Sequence, residues 1–188
     1  VHFFTDTVYH ALKEAREALG EFVGCDEDEL LFFQNPTTAI SNILYNLELN
    51  NNDEILMTDH EYGALIRAWE EMGKRTGANI VQQNIPLGLT NEEDFVDNFW
   101  KGVTENTKVI FISHITSPTA LIFPVKKIIQ RAKDKGILTI VDGAHVPGQI
   151  DLNIQELDCD FYTGALHKWL CAPKGTSYLF VKREHHRW

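Results

Sequence analysis

The sequence is poor in cysteine, in basic residues and in long apolar runs, and each shortage excludes a class of protein. Its three cysteines are an odd number without close-pair spacing, which argues for a reducing compartment rather than a disulfide scaffold. The chain has 17 lysines and arginines but 27 acidic residues, and the net charge of −10 disfavours nucleic acid as a partner. No apolar run approaches the roughly 18 residues of a membrane helix, and no secretory signal opens the chain. We therefore expect a cytoplasmic protein with no membrane segment.

Short apolar runs alternate with stretches of helical spacing, and 44% of the 188 residues are hydrophobic, enough for a globular core. The predicted strands lie at 30–33, 54–57, 108–113, 137–141, 160–162 and 177–181. The runs at 108–113 and 137–141 are apolar on both faces, which is typical of strands covered by helices on both sides. The sequence therefore predicts an α/β fold with a mainly parallel sheet in a three-layer α/β/α arrangement.

Four stretches carry apolar residues at steps of three and four, which predicts helices that bury one face each. They begin near residues 8, 39, 65 and 125. Residues 5–7 are expected to cap the first helix, and Gly77 and Gly136 to end the third and fourth. The polar stretch 88–106 is predicted to hold a surface helix with flanking loops.

Two residues near strand ends carry charges that could do chemistry. Asp142 stands at the mouth of a predicted strand, where its carboxylate suits a cationic ring nitrogen or a metal, although it could also cap a helix. Lys168 lies in a run of small or apolar residues, whose burial would lower its pKa and free its amine to attack a carbonyl. Most lysines are solvated surface charges, so the assignment depends on the placement of Lys168 one strand beyond Asp142.

The turn Asn35–Thr38 leads from a strand into a helix, where hydroxyls and free N–H groups could bind a phosphate or simply cap the helix. Tyr62 follows another strand, and its ring could cover a flat ligand or merely pack. An amine for a Schiff base, an acid for a pyridinium nitrogen, a phosphate site and a stacking aromatic together meet the needs of pyridoxal 5′-phosphate.

A metal-dependent hydrolase is the competing hypothesis. His60, His114, Asp142 and His145 all follow strands, and imidazole and carboxylate donors can share a metal ion. The histidines could equally be core residues or partners that set a neighbour's tautomer. The metal hypothesis gives no role to Lys168, so we rank it below the cofactor hypothesis.

Five segments of the chain carry a family resemblance and stand in that family's order. They are NPTTAI at 35–40, DHEYGA at 59–64, SHITSPTA at 113–120, VDGAHVPG at 141–148 and YTGALHKWLCAPKG at 162–175. In these segments the chain resembles the class V aminotransferase group of fold-type I pyridoxal-phosphate enzymes. Within that group it is most similar to the isopenicillin N epimerase-like branch, with the cysteine desulfurases as more distant relatives. Five ordered blocks are far more specific than any one of them.

The resemblance implies pyridoxal 5′-phosphate as the cofactor and an amino-acid-like small molecule as the substrate. Lys168 would form the Schiff base and then move the substrate's α-proton. Asp142 would keep the pyridine nitrogen protonated, Tyr62 would stack on the ring, and His145 would contact the ring's 3′-oxygen.

The resemblance also implies a phosphate site and a substrate-facing loop. Thr37, Thr38 and His167 match positions that hold the phosphate, and Ser117 matches a position in the loop that faces the substrate. Ala165 stands where relatives commonly carry a polar side chain that bonds the phosphate, which implies that one such contact is missing.

By the same resemblance, residues 1–188 form the cofactor-binding large domain of a longer, homodimeric protein, without the family's N-terminal segment and C-terminal small domain. In relatives that small domain supplies the arginine for the substrate carboxylate and, in desulfurases, the nucleophilic cysteine. Cys171 does not match that position and is expected to have a structural or incidental role. We expect a transaminase, epimerase or C–S lyase domain, with an incomplete, non-catalytic cofactor-binding fragment as the alternative.

Overall fold

The structure is a computed structural model that describes residues 2–88 and 91–187, and its strands form one sheet. The strands are β1 (Leu30–Phe33), β2 (Glu54–Thr58), β3 (Asn79–Gln83), β4 (Thr107–Ser113), β5 (Leu138–Asp142), β6 (Phe161–Ala165) and β7 (Ser177–Val181). The α-helices are α1 (Val8–Val23), α2 (Pro36–Asn46), α3 (Gly63–Thr76), α4 (Glu92–Trp100), α5 (Val125–Lys133) and α6 (Ile154–Leu157). A π-helical turn at Phe3–Thr7 precedes α1, and 3₁₀ turns lie at Glu27–Glu29 and Arg183–His185.

The strand order is β1-β7-β6-β5-β4-β2-β3, and every pairing except those of β7 is parallel. β7 runs antiparallel to both of its neighbours, β1 and β6. The prediction of a mainly parallel sheet is therefore confirmed. Because β1 and β6 both run antiparallel to β7, their carboxyl ends lie at the same edge as those of the other strands.

Two apolar clusters cover the two faces of the sheet, as expected for a three-layer fold. Alternate residues of one strand enter different clusters: Leu56 of β2 packs on one face, while Ile55 and Met57 pack on the other. Helices α2 and α3 cover the second face, and α1, α4, α5 and α6 contribute to the first. The α/β/α arrangement is thereby confirmed.

Helix α1 departs from its sequence pattern at both ends. Thr7 makes no side-chain hydrogen bond to cap the helix, because the chain is already helical in the preceding π turn, so the predicted cap is wrong. Leu19 and Val23 are buried, whereas Leu12 is 45% and Phe22 is 50% exposed. The apolar face predicted from residue 8 onward therefore packs only along its last turn.

The other differences concern strand edges. The sequence pattern missed β3, which contains polar residues and lies at the edge of the sheet, where one side needs no partner. Asp142 is the last residue of β5 rather than the first residue after it.

Gly77 ends α3 in a left-handed conformation, as predicted. The predicted helix in the polar stretch is α4, although Phe95, Val96 and Phe99 of this helix are buried.

No helix within the described ranges is both long enough and apolar enough to span a bilayer.

We expect Gly143→Ala to destabilise the chain. A Cβ atom at this position would lie 2.2 Å from ring atoms of the fully buried Tyr162, so the ring or the strand would have to move. Overpacking of this kind costs about 1–3 kcal/mol, which urea unfolding would detect. Gly88→Ala is the matched control, since a Cβ there has nothing within 4 Å. Equal loss of stability in the two variants would contradict the close approach.

Candidate active site

The carboxyl ends of the parallel strands bring the predicted site residues to one edge of the sheet. Asn35 follows β1, Tyr62 follows β2, and Ser117 follows β4. Asp142 ends β5, and Lys168 lies shortly after β6. Open α/β sheets bind ligands at this edge because successive strand–helix loops meet there.

A cavity of about 470 Å³ opens at this edge, a volume typical of small-molecule sites. All eight predicted site residues line it: Thr37, Thr38, Tyr62, Ser117, Asp142, His145, His167 and Lys168. These residues come from separate segments of the chain, so their convergence is a result of the fold. A ligand in the cavity would lie among all eight side chains.

Lys168 and His145 form a close pair in the cavity, with Lys168 Nζ 3.0 Å from His145 Nε2. Loss of hydration lowers the pKa of the Lys168 amine, although the negative charge of Asp142 acts in the opposite direction. Desolvation also lowers the pKa of His145, and the charge of Lys168 adds to that effect. Both groups are biased toward their neutral forms, and the neutral amine is the form that attacks a carbonyl.

Asp142 supplies a buried carboxylate to the cavity wall. One of its oxygens accepts a hydrogen bond from the Ala144 backbone N–H at 2.9 Å. Burial raises the pKa of Asp142, while the Ala144 N–H and the charge of Lys168 oppose the rise. A carboxylate so placed gains stability from a cation in the cavity, because burial has removed much of its hydration.

The two threonines at the start of α2 differ in the donors that they can offer. Thr38 gives both of its donors to Asn35 Oδ1, the N–H at 2.9 Å and the hydroxyl at 3.1 Å. The hydroxyl and amide N–H of Thr37 make no hydrogen bond within the described part of the chain. Thr37 is therefore better able than Thr38 to donate to an anion at this helix N-terminus.

His167 and Tyr62 lie in the same wall. His167 Nδ1 donates to the Thr176 carbonyl at 2.8 Å, since a carbonyl can only accept. Its Nε2 atom can then donate to an anion only when the ring takes up a second proton. Tyr62 is the N-cap residue of α3, where its carbonyl accepts the N–H groups of Leu65 and Ile66, and its side chain is 46% exposed.

The loop that carries Ser117 is held in place by a histidine on another loop. Thr119 Oγ1 lies 2.7 Å from Thr116 Oγ1 and 3.2 Å from His60 Nδ1. His60 Nε2 donates to the Ile85 carbonyl at 2.8 Å. His60 thus connects the segment after β3 to the Ser117 loop, and its ring nitrogens are both engaged.

The structure does not assemble the metal site that the competing hypothesis requires. His60 is engaged as described, and His114 Nδ1 lies 2.9 Å from the Tyr162 hydroxyl, with burial lowering the His114 pKa to about 4. Among residues 2–88 and 91–187, the side chains that could share an ion are Asp160, Glu184 and His185. These three precede β6 or follow β7, and so lie at the opposite edge of the sheet.

Glu61 is a buried acid that the sequence reasoning missed. Its carboxyl accepts hydrogen bonds from the Thr58 hydroxyl at 2.7 Å, the Ser113 N–H at 3.2 Å and the Ser113 hydroxyl at 2.5 Å. Burial raises the pKa of Glu61 to about 7, and these three hydrogen bonds oppose the rise. The available signal was an acid directly after a strand and next to Tyr62. Glu61 joins the ends of β2 and β4 behind the cavity.

Cys171 is exposed and its backbone has a positive φ of 58°. Its thiol donates a weak hydrogen bond to the Trp169 carbonyl at 3.6 Å. Cys171 therefore has no packing role in the core.

The sequence profile of the family described as aminotransferase class-V matches residues 1–187. The isopenicillin N epimerase of Streptomyces clavuligerus is 35% identical over 170 residues, which are 90% of this chain and 43% of that protein. A probable cysteine desulfurase of Halalkalibacterium halodurans is 30% identical over 189 residues, which are 98% of this chain and 46% of that protein. The chain thus spans less than half the length of these relatives.

Solved structures with the same fold include the cystine C–S lyase C-DES in complex with its reaction product, cysteine persulfide. Its TM-score is 0.88 at 23% identity, covering 95% of this chain and 48% of that one. The apo cysteine desulfurase of Thermococcus onnurineus has a TM-score of 0.83 at 21% identity, covering 98% of this chain and 46% of that one. At these identities the likeness establishes the fold.

Glu61 should make the stability of the chain depend on pH. Its folded pKa of about 7 exceeds the ordinary value of 4.5, so the folded state holds the proton more tightly. The stability contributed by this proton is complete below pH 4.5 and is lost as pH rises through 7. Between pH 6 and 8 the loss should be about 1 kcal/mol in urea unfolding.

Glu61→Gln is the matched variant, because an amide can keep the contacts with Thr58 and Ser113 without titrating. Its free energy of unfolding should fall by about 1 kcal/mol less than that of the parent chain between the same two pH values. If parent and variant lose stability equally over this range, Glu61 does not titrate there.

Proposed function

The chain belongs to the class V aminotransferase family, and on that premise we propose that it is the pyridoxal 5′-phosphate-binding large domain of an enzyme that acts on an amino acid or a related amine. The observation that carries the proposal is that the seven residues predicted for the cofactor line one cavity, together with Ser117, which is predicted to face the substrate. Because the chain spans less than half of its relatives, the activity of the whole protein is part of the proposal.

We assign the covalent bond to Lys168 and the ring nitrogen to Asp142. Lys168 presents a partly desolvated amine, which can condense with the aldehyde carbon of the cofactor and later accept the substrate's α-proton. Asp142 places a buried carboxyl group in the same cavity, and as a carboxylate it would keep a pyridine nitrogen protonated. When bound, pyridoxal phosphate supplies an electron sink for the carbanion left by removal of that proton.

We assign the phosphate to the N-terminus of α2. Thr37 offers a hydroxyl and a backbone N–H, and the positive end of the helix dipole favours an anion. His167 can donate from the other side through Nε2 when its ring is charged, as Nδ1 is already bound to Thr176. The neighbouring Thr38 keeps Asn35 in place instead of contacting the phosphate.

The remaining cavity residues are assigned to the ring and the substrate. Tyr62 has the exposed aromatic side chain needed to cover a flat ring, and His145 stands beside Lys168 where it can reach the ring's 3′-oxygen. Ser117 faces the substrate side from its anchored loop. The relatives named an epimerase and a cysteine desulfurase make epimerisation and C–S bond cleavage the first reactions to test, with transamination third.

We propose that the active protein is a cytoplasmic homodimer that includes a small domain with a carboxylate-binding arginine. A chain of residues 1–188 that binds the cofactor without turnover is the second candidate. It is favoured by the apolar side chains left exposed on the surface, such as Leu12, Phe22 and Leu31. In the proposed full-length protein, we expect the additional segments to cover these side chains.

Incubation with pyridoxal phosphate followed by borohydride reduction should leave the cofactor mass on Lys168, as read by peptide mapping. Lys168→Ala should abolish the adduct, because no other amine lines the cavity among the described residues. Lys174→Ala is the control, since this lysine is exposed and outside the cavity wall. A specific adduct that survives in Lys168→Ala would overturn the assignment.

Thr37→Val and Thr38→Val should have different effects. Thr37→Val removes a hydroxyl that is free to bind phosphate, so the Kd for pyridoxal phosphate should rise by about tenfold with little change in stability. Thr38→Val removes a hydrogen bond to Asn35, so it should cost about 1 kcal/mol of stability with a smaller change in Kd. The reverse pattern in a spectroscopic titration and urea unfolding would place the phosphate on Thr38.

A further inference from the structure

Trp169 makes a specific contact with the site although its side chain is 54% exposed. Its indole Nε1 donates a hydrogen bond to His145 Nδ1 at 3.1 Å, and the two rings are 6.2 Å apart. Its backbone packs closely against Gly148, where a Cβ atom would lie 2.9 Å from the Trp169 carbonyl. The glycine leaves room for Trp169 next to His145.

The hydrogen bond from Trp169 determines which nitrogen of His145 carries a proton. An indole N–H can only donate, so His145 Nδ1 must accept with its lone pair. A neutral imidazole that accepts at Nδ1 carries its hydrogen on Nε2. A proton on Nδ1 would instead place two donors against each other. Trp169 therefore favours the neutral Nε2–H tautomer over both the other tautomer and the charged ring.

This tautomer constrains Lys168 in turn. His145 Nε2 lies 3.0 Å from Lys168 Nζ, and with a hydrogen on Nε2 the lysine must supply the lone pair. An ammonium group has three donors and no acceptor, so only the neutral amine can form this hydrogen bond. We propose that Trp169 is a positioning residue that acts through His145 to hold Lys168 as the neutral amine. This inference rests on the proposed role of Lys168 as the group that bonds to the cofactor.

The charged groups around His145 and Lys168 act on the pKa of Lys168 in opposite directions. The titratable groups that share the cavity are Asp142 from β5, Tyr62 from the start of α3 and His167 from the segment after β6. The Asp142 carboxylate favours the ammonium form of Lys168 and raises its pKa, whereas desolvation lowers the pKa. The hydrogen bonds that join Trp169, His145 and Lys168 act in the same direction as desolvation. They would keep the Lys168 amine neutral and reactive even though Asp142, which is proposed to bind the ring nitrogen, lies nearby.

Trp169→Phe tests the proposal, since it keeps an aromatic ring and removes the N–H at an exposed position. Nitrogen-15 NMR of the histidines in the chain without cofactor should show His145 as the Nε2–H tautomer in the parent. In the variant, the Nδ1–H tautomer should gain population. Lys168 could then donate as an ammonium to Nε2, so the pH profile for adduct formation with pyridoxal phosphate should shift upward by about one unit, a roughly tenfold slower rate at neutral pH.

Leu170→Ala is the control, because Leu170 lies next to Trp169 in the same loop and its aliphatic side chain cannot form a hydrogen bond with His145, whose partners are Lys168 and Trp169. It should leave the tautomer and the pH profile of the parent unchanged. An unaltered tautomer and an unshifted profile in Trp169→Phe would overturn the inference. A parent chain that forms no adduct on Lys168 would instead overturn the proposed function, and the NMR result would still decide whether Trp169 sets the tautomer of His145.

Discussion

The parallel register of β4, β5 and β6 is the constraint on which the site depends. It aligns Ser113 with Asp142 and Asp142 with Thr163, so β4 and β5 end in one row across the sheet, while β6 continues to Ala165. Glu61 bonds to Ser113 at one end of that row. A slip of one residue in any pair would turn the Asp142 side chain to the other face and remove it from the cavity.

Burial pushes the ionisable groups of the site in one direction, toward neutrality. The pKa values of Asp142 and Glu61 rise, and those of Lys168 and His145 fall. Opposite charges resist this trend only partly, as the effect of Asp142 on Lys168 shows. Burial thus favours the uncharged form of each of these groups, and it brings the pKa of Glu61 to about 7, where proton exchange near neutral pH is possible.

Much of the fold and most of the cavity residues could be predicted from sequence because they depend on local patterns. Runs rich in β-branched residues identified β4 and β5, and residues just after strands identified Asp142 and Lys168. Contacts between distant segments left no such pattern: Glu61 matters through Ser113, and Trp169 through His145. The difference between Thr37 and Thr38 depends on where the Asn35 side chain points, which no local sequence pattern determines. β3 was missed because an edge strand can remain polar.

The position of β7 between β1 and β6 has a consequence for the order of folding. β1 pairs with no other strand of the described chain, so the turn that follows it is anchored to the sheet through residues near the far end of the sequence. The Ser177 hydroxyl, for example, bonds to the Phe33 carbonyl across 144 residues. Closing so long a loop costs entropy that local contacts avoid, so we expect this contact to form after the local ones. During synthesis the helix end proposed to bind phosphate would reach its place in the sheet only after β7 has been made and has paired with β1.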